Sequence, residues 1–236
     1  MMTIPDQRHY APAVERNRCP ILEVLEEYLP SKGIVLEIAS GSGEHAAFFA
    51  QHLSALSWIP SDIAQPQLES ILAWQRQSKL DNLYPPISVD VLQPHWPTVV
   101  QKACSDYQLS TFDITAIINI NMLHISPWQA TLGLISGAAQ LLSPQGILYL
   151  YGPFIQLGQP TAPSNLAFDQ FLRSREPAWG IRNLEEVVMV AAENGLILQK
   201  TIAMPANNLS VIWRLGGDDG CAGLRPTEGH RQTFST

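Results

Sequence analysis

The sequence is short of charge, of cysteine and of long apolar runs, and each shortage removes a class of function. Of 236 residues, 15% are Asp, Glu, Lys or Arg, and the formal charge at pH 7 is −7. With 14 basic residues and no run of them, the chain offers no electrostatic footprint for a phosphate backbone, so nucleic acid is not an expected partner. Cys19, Cys104 and Cys221 stand far apart and form no C-x-x-C, which argues against a disulfide framework and against zinc. The scattered His, Cys and carboxylates suggest no other metal constellation. No segment approaches the roughly 20 apolar residues of a membrane span, and MMTIPDQRHY lacks the apolar core of a secretory signal. A soluble cytoplasmic protein without a membrane partner is expected. Internal repeats are also missing.

What is present is a 46% hydrophobic composition, enough for the core of one domain, expected over residues 1–215. Helical and strand patterns take turns along it. PILEVLEEYL sets Pro20 at a helix start and Ile21, Val24, Leu25 and Tyr28 on one face, which predicts a helix over about 19–29. Strands at 34–39, 56–59, 87–89, 114–120 and 147–151 alternate with helices over 44–52, 66–78, 97–107 and 127–142. That rhythm predicts an α/β fold with a doubly wound, mostly parallel sheet. It breaks at 152–178, a long connection with a short helix over 165–174 capped by Ser164, read as a lid-like insert. A helix over 184–194 follows, then strands at 196–204 and 209–213 whose short link suits a C-terminal antiparallel hairpin. From Gly216 the chain is polar and rich in glycine, so 216–236 is expected to be a mobile tail.

Ligands of an open parallel sheet bind at the carboxyl ends of the strands, where strand order reverses. Four polar groups fall at such ends. Gly41-Ser42-Gly43 makes the first turn within VLEIASGSGEH; Asp62, 21 residues after Gly41, stands where a carboxylate meets ribose hydroxyls; Asp90 and Asn121 follow the third and fourth strands. A glycine turn before a helix usually seats a phosphate. Glu37 works against that, because it would repel a pyrophosphate yet attract the ammonium and sulfonium of S-adenosylmethionine. The alternative is a Glu37 turned away into an ion pair. A nicotinamide oxidoreductase is disfavoured by Glu37 and by the lack of an evident Tyr-x-x-x-Lys pair.

The acidic residue ahead of G-x-G, with the later acids, resembles class I S-adenosylmethionine-dependent methyltransferases. The ordered set RHYAPAVERNRCPILEVL, LEIASGSGEHAAFFA, PSDI, DVLQPHWP, NINMLHISPW and TAPSNLAFDQFLRSREPAWGIRNLEEV is similar, over roughly residues 8–215, to a methyltransferase-like family that includes animal methyltransferase-like protein 26. The resemblance implies a Rossmann-like fold, S-adenosylmethionine as cofactor and methyl transfer to a small molecule, with oxygen ahead of sulfur and nitrogen. No N-P-P-Y or D-P-P-Y run marks the chain as a base-amine methylase. By motif, Glu37, Ala39, Gly41, Ser42 and Gly43 would surround the methionine part, Asp62 and Ile63 the ribose, and Asp90 and Val91 the adenine. Asn121, Met122, Leu123 and His124 occupy the place where related enzymes face the transferred methyl. His124 is a candidate general base, or a histidine that only hydrogen-bonds beside the next helix. Tyr10, Glu15, Arg16 and Asn17, with Asn165, Phe168, Trp179 and Arg182, are candidates to enclose the acceptor. The spacing of Phe168, Phe171 and Leu172 also suits plain packing. His45, Glu44 and Trp96 read as structural. The other implied class is a non-catalytic S-adenosylmethionine-binding module, with the same loop and no turnover.

Overall fold

The computed structural model describes residues 6–217, so most of the expected tail lies outside the described residues. In chain order the elements are α1 (Pro12–Tyr28), β1 (Gly33–Ile38), α2 (Glu44–His52), β2 (Leu56–Asp62), α3 (Gln65–Ser78), β3 (Ile87–Ser88), α4 (Trp96–Asp106), β4 (Ile114–Ile120), α5 (Trp128–Leu141) and β5 (Ile147–Gly152). The rest are β6 (Phe154–Ile155), α6 (Pro163–Arg175), β7 (Arg182–Asn183), α7 (Leu184–Glu193), β8 (Leu196–Met204) and β9 (Asn208–Leu215). Seven strands form one sheet in the order β3-β2-β1-β4-β5-β9-β8, parallel except that β9 runs against β5 and β8. Strand order reverses between β1 and β4. The expected α/β sheet and its C-terminal hairpin are both present.

Helices cover both faces, which is why β4 reads ITAIINI and β5 ILYLYG with almost no polar position. On one face Ile34, Leu36 and Ile38 pack with Val100, Leu134 and Val187. On the other, Val35, Phe49, Trp58 and Tyr149 pack with Ile21 and Leu25 of α1. Glu37 lies on strand β1 two residues from Val35, on that second face.

Two sequence expectations need correction. Helix α1 begins at Pro12, two turns before the expected start, and carries Pro20 inside it. Pro12 supplies the fixed φ that suits a first helical position, and Val14 and Asn17 extend the buried stripe of Ile21, Val24 and Leu25 backwards. Pro20 leaves the carbonyl of Arg16 without its helical N–H partner, a local cost that the buried face outweighs. Helix α6 begins at Pro163 with Ala162 as N-cap and no side-chain cap, so Ser164 does not cap it. Its hydroxyl accepts from Asn207 Nδ2 at 3.1 Å instead.

Helix α5 reaches the site side of the sheet through its glycines. A Cβ at Gly133 would lie 2.0 Å from the carbonyl oxygen of Val91, and one at Gly137 would lie 2.1 Å from the Trp96 ring. Trp96 Nε1 donates to the Gly133 carbonyl at 3.1 Å. Gly133→Ala should therefore destabilise the protein, although alanine is the better helix former by about 1 kcal/mol. Overpacking against a backbone carbonyl costs about 1–3 kcal/mol, and each kcal/mol lowers Tm by roughly 2–4 °C at this length. An unchanged or raised Tm in a thermal melt would show that α5 can shift freely.

Candidate functional site

After β1 the backbone turns through three residues with left-handed φ: Ala39 at 58°, Gly41 at 58° and Gly43 at 84°. Gly43 is required twice over, since a Cβ there would also lie 2.7 Å from Ile71 Cα in α3. The loop is closed by its own hydrogen bonds. Gly41 N donates to Asp62 Oδ2 at 3.0 Å, Gly43 N to the Ser40 carbonyl at 3.0 Å, and Glu44 N to Ser42 Oγ at 3.4 Å. Asp62 Oδ1 accepts from Ile63 N at 2.8 Å and Ala64 N at 3.1 Å, so one carboxylate ties the glycine loop to the loop after β2. Ser61 Oγ donates to the Glu37 carbonyl at 2.8 Å, and Ser61 N to Ser40 Oγ at 3.1 Å.

Glu37 is 1% exposed. Its Oε2 accepts from Trp58 Nε1 at 2.7 Å, so it is not turned away into an ion pair. Burial pushes its carboxyl up from 4.5 to about 8, against the pull of its hydrogen bonds and with a small further push from the Asp62 charge.

Glu37, Asp62, Ile63, Ala64 and the loop from Ala39 to Ser42 line a cavity of about 510 Å³ at the carboxyl ends of β1, β2 and β4. Asp90, Val91 and Asn121 join its wall. Asp90 is fixed by Leu92 N at 2.9 Å and Gln93 Nε2 at 3.1 Å, and Asn121 holds a left-handed φ of 61° while its N–H donates to the Tyr151 carbonyl. Ala11, Ala13 and Val14 roof the space. That roof is tied down by His9 N donating to Ser70 Oγ at 2.7 Å, by Ser70 Oγ donating to the Ser42 carbonyl at 2.7 Å, and by Ala11 N donating to Glu44 Oε2 at 3.1 Å. Exposed Ile63, Leu92 and Ile125 form an apolar rim.

A family model matches residues 8–215. The chain belongs to that family, described as "Protein of unknown function (DUF938)". Among solved structures, this DUF938 chain is similar to an O-methyltransferase family protein from Burkholderia thailandensis, at 14% identity and TM-score 0.69, with 88% of this chain and 58% of the other covered. It is also similar to an O-methyltransferase family 2 protein from Planctomyces limnophilus in complex with apigenin, at 17% identity, TM-score 0.65 and coverage of 86% and 59%. A third is human N-acetylserotonin methyltransferase in complex with SAM, at 12% identity, TM-score 0.64 and coverage of 86% and 53%. At such identities the likeness is one of fold: the Rossmann-like methyltransferase fold. The DUF938 chain spans a little over half the length of these three structures.

Of the residues the sequence assigned to a cofactor, Glu37, Ala39, Gly41, Ser42, Asp62, Ile63, Asp90, Val91 and Asn121 line the cavity; Gly43 does not, and shapes the loop from behind. His124 is absent from the lining. It is buried, packs edge-on against Phe168 at 5.5 Å between ring centres, and is pushed down to about 4 by burial and by Arg182. Facing the cavity, as expected of a general base, is therefore not its position. Tyr10 is exposed against Trp74, and Arg16 is exposed on α1. Glu15, Arg16 and Asn17 lie within α1, not before it. Trp179 is half-buried away from the cavity, and Asn165 lines a separate 220 Å³ cleft beside the β8–β9 hairpin. Arg182 donates to the carbonyls of Leu123, Ser126 and Ala178, bracing the turn that holds His124. Sequence reasoning missed Ala11, Ala13, Val14, Gln67 and His45, which do line the cavity. His45 stands two residues after Gly43 in G-S-G-E-H, in the first turn of α2, the one available signal. Among the described residues no group of His, Cys, Asp and Glu could hold a metal, and no helix is long and apolar enough to cross a membrane.

The buried titratable groups predict a pH profile. His45 and His124, at about 4 in the fold against 6.5 ordinarily, bind protons only when unfolded, so stability falls as pH drops from 6.5 to 4. Glu37, at about 8 against 4.5, binds its proton more readily when folded, so its contribution is present below pH 4.5 and lost as pH rises to 8. Two histidines outweigh one glutamate below 6.5, which sets the maximum of these combined effects near pH 6.5. Glu37→Gln should remove the decline above it, read as Tm between pH 6.5 and 8; an identical decline in the variant would place Glu37 outside the effect.

Proposed function

We propose that the chain is an S-adenosylmethionine-dependent methyltransferase of a small molecule, with oxygen the leading acceptor atom. The observation that carries this reading is a contrast at one loop. The N–H groups of Gly41, Gly43 and Glu44 are already bonded within the protein, while Glu37, buried behind the loop, has no cation beside it among the described residues. A pyrophosphate would find these three donors of the loop engaged and carboxylates close by. A cation-bearing nucleoside suits the same wall.

Glu37 would hold the ammonium, Asp62 and Ile63 the ribose, and Asp90 and Val91 the adenine. When bound, the cofactor supplies an electrophilic methyl group on a sulfonium. The chain itself contributes a fixed loop, a roof and an apolar wall that exclude water, and holding reactants in line in such a site is worth roughly 7–11 kcal/mol. The solved neighbours named as O-methyltransferases support oxygen as the acceptor atom. The ordered motifs across residues 8–215 support the narrower kinship with methyltransferase-like protein 26. Nothing in the cavity favours the nicotinamide alternative.

Calorimetric titration tests the reading. S-adenosylmethionine and S-adenosylhomocysteine should bind and a nicotinamide dinucleotide should not. At pH 7 the Glu37 carboxyl carries its proton; a cation placed against it lowers that pKa, so binding should release up to one proton, seen as heat that depends on the buffer's ionisation enthalpy. Glu37→Gln should abolish the release and weaken binding. Asp62→Ala should weaken it by about tenfold or more, the loss of a charge-assisted acceptor. Tight dinucleotide binding with no heat from S-adenosylmethionine would overturn cofactor and function together.

A further inference from the structure

The cavity divides by chemistry. One part carries Glu37, Asp62, Asp90 and the glycine loop, which the proposed cofactor accounts for. The remaining wall is mostly apolar, with Ala13 and Val14 of α1, Ile120 and Met122 at the end of β4, and Ala130 of α5; its polar side chains are Gln67, Asn121, Ser126 and the His45 ring. Among the described residues that line the cavity none is a lysine or arginine, and every acidic or basic side chain other than His45 is a carboxyl. An anion entering here would meet no lysine or arginine in the wall, the nearby Arg18 being paired with Glu44 at 3.9 Å, and would be desolvated beside carboxylates.

His45 is held in one orientation. It sits in the first turn of α2, buried, with its ring stacked on Phe49 at 5.3 Å and 5° between planes. Nε2 lies 2.8 Å from Asn17 Oδ1. An amide oxygen only accepts, so Nε2 carries the proton and Nδ1 is left as a bare acceptor. Asn17 is buried in turn, close to the Tyr151 hydroxyl. Among the described residues Nδ1 has no hydrogen-bond partner of its own. Burial and the nearby Arg18 push the imidazole down to about 4, so the ring stays neutral at physiological pH.

We infer that this part of the cavity is the acceptor subsite, that it takes a small, uncharged, largely apolar molecule bearing an O–H or N–H, and that His45 Nδ1 accepts that hydrogen. The inference rests on the cofactor reading for the other part. It excludes carboxylate and phosphate acceptors, and it makes Asn17 a positioning residue that fixes the tautomer of His45.

The test uses the full chain saturated with S-adenosylhomocysteine, titrated with phenol, anisole and benzoate by saturation-transfer NMR. Phenol should bind. Anisole, which lacks the O–H, should bind about fivefold more weakly, the worth of one hydrogen bond near 1 kcal/mol. Benzoate should be weaker by about tenfold or more, as expected for an unpaired anion. His45→Phe keeps a ring against Phe49 and should bring phenol down to the anisole level, with S-adenosylhomocysteine affinity within about twofold of the parent, since none of the five residues proposed to hold that ligand is changed. In the parent, with ¹⁵N-labelled histidine, phenol should shift the unprotonated ring nitrogen of His45, a readout that needs no variant. Benzoate binding as tightly as phenol, an unmoved His45 resonance, or no phenol binding to the loaded protein would overturn the inference. Failure of S-adenosylhomocysteine to bind would instead overturn the cofactor reading, and the same phenol and benzoate titrations of the unliganded chain would still decide the subsite.

Discussion

The carboxyl edge of the sheet depends on one side chain accepting three backbone hydrogens. Asp62 ends β2, yet its two oxygens reach Gly41 across the gap to the neighbouring loop and Ile63 and Ala64 in its own. Without that bridge, a loop with three left-handed residues would have little to hold its shape, because turns of this kind carry strain wherever the residue is not glycine. The bridge also determines the chemistry of the space it encloses. It engages the Gly41 N–H that would otherwise face a phosphate, and it keeps the Asp62 charge close to the Glu37 carboxyl. The cation-bearing ligand proposed for the site would thus owe its fit to how the loop is tied.

Much of this was legible in the residues, and the limits are physical. The strand at 114–120 has the bounds expected because a strand covered on both faces is apolar from end to end and stops where polarity returns at Asn121. The acids at strand ends could be placed by spacing along parallel crossovers. The start of α1 could not, since Glu15, Arg16 and Arg18 interrupt the apolar stripe as read in one dimension, while in three dimensions they share the outer faces of a longer helix. Nor does a sequence say which histidine meets a cavity. His124 and His45 are both lone histidines next to turns; only the crossing of α1 over α2 puts Asn17 beside one, and only the fold of the insert puts Phe168 beside the other. Glu37 and Trp58 belong to adjacent strands, and their bond needs the strand register, which pattern alone leaves open.

The segment before α1 and the helix itself connect fold to site in a way the sheet alone does not. The roof residues Ala11, Ala13 and Val14 are small, so the helix can lie close over the loop, and Ser70 joins the roof to the glycine turn with a single hydroxyl that accepts from His9 and donates to Ser42. A side chain on α3 therefore holds two layers in register. The connection over 152–178 contributes less directly: its helix α6 lines a separate cleft, and Arg182, just beyond it, braces the turn after β4.

Ala39 carries a last consequence. An L-residue with a side chain at φ 58° sits about 1–2 kcal/mol above its preferred conformations, and the surrounding bonds over-determine that geometry before any ligand arrives. A wall already frozen in its working shape gives up little further freedom on association, so the entropic penalty of ordering falls mainly on the incoming molecule. Binding at this loop should accordingly resemble docking to a rigid surface, with encounter rates set by diffusion through the Ile63–Leu92–Ile125 rim and not by the folding of a disordered loop.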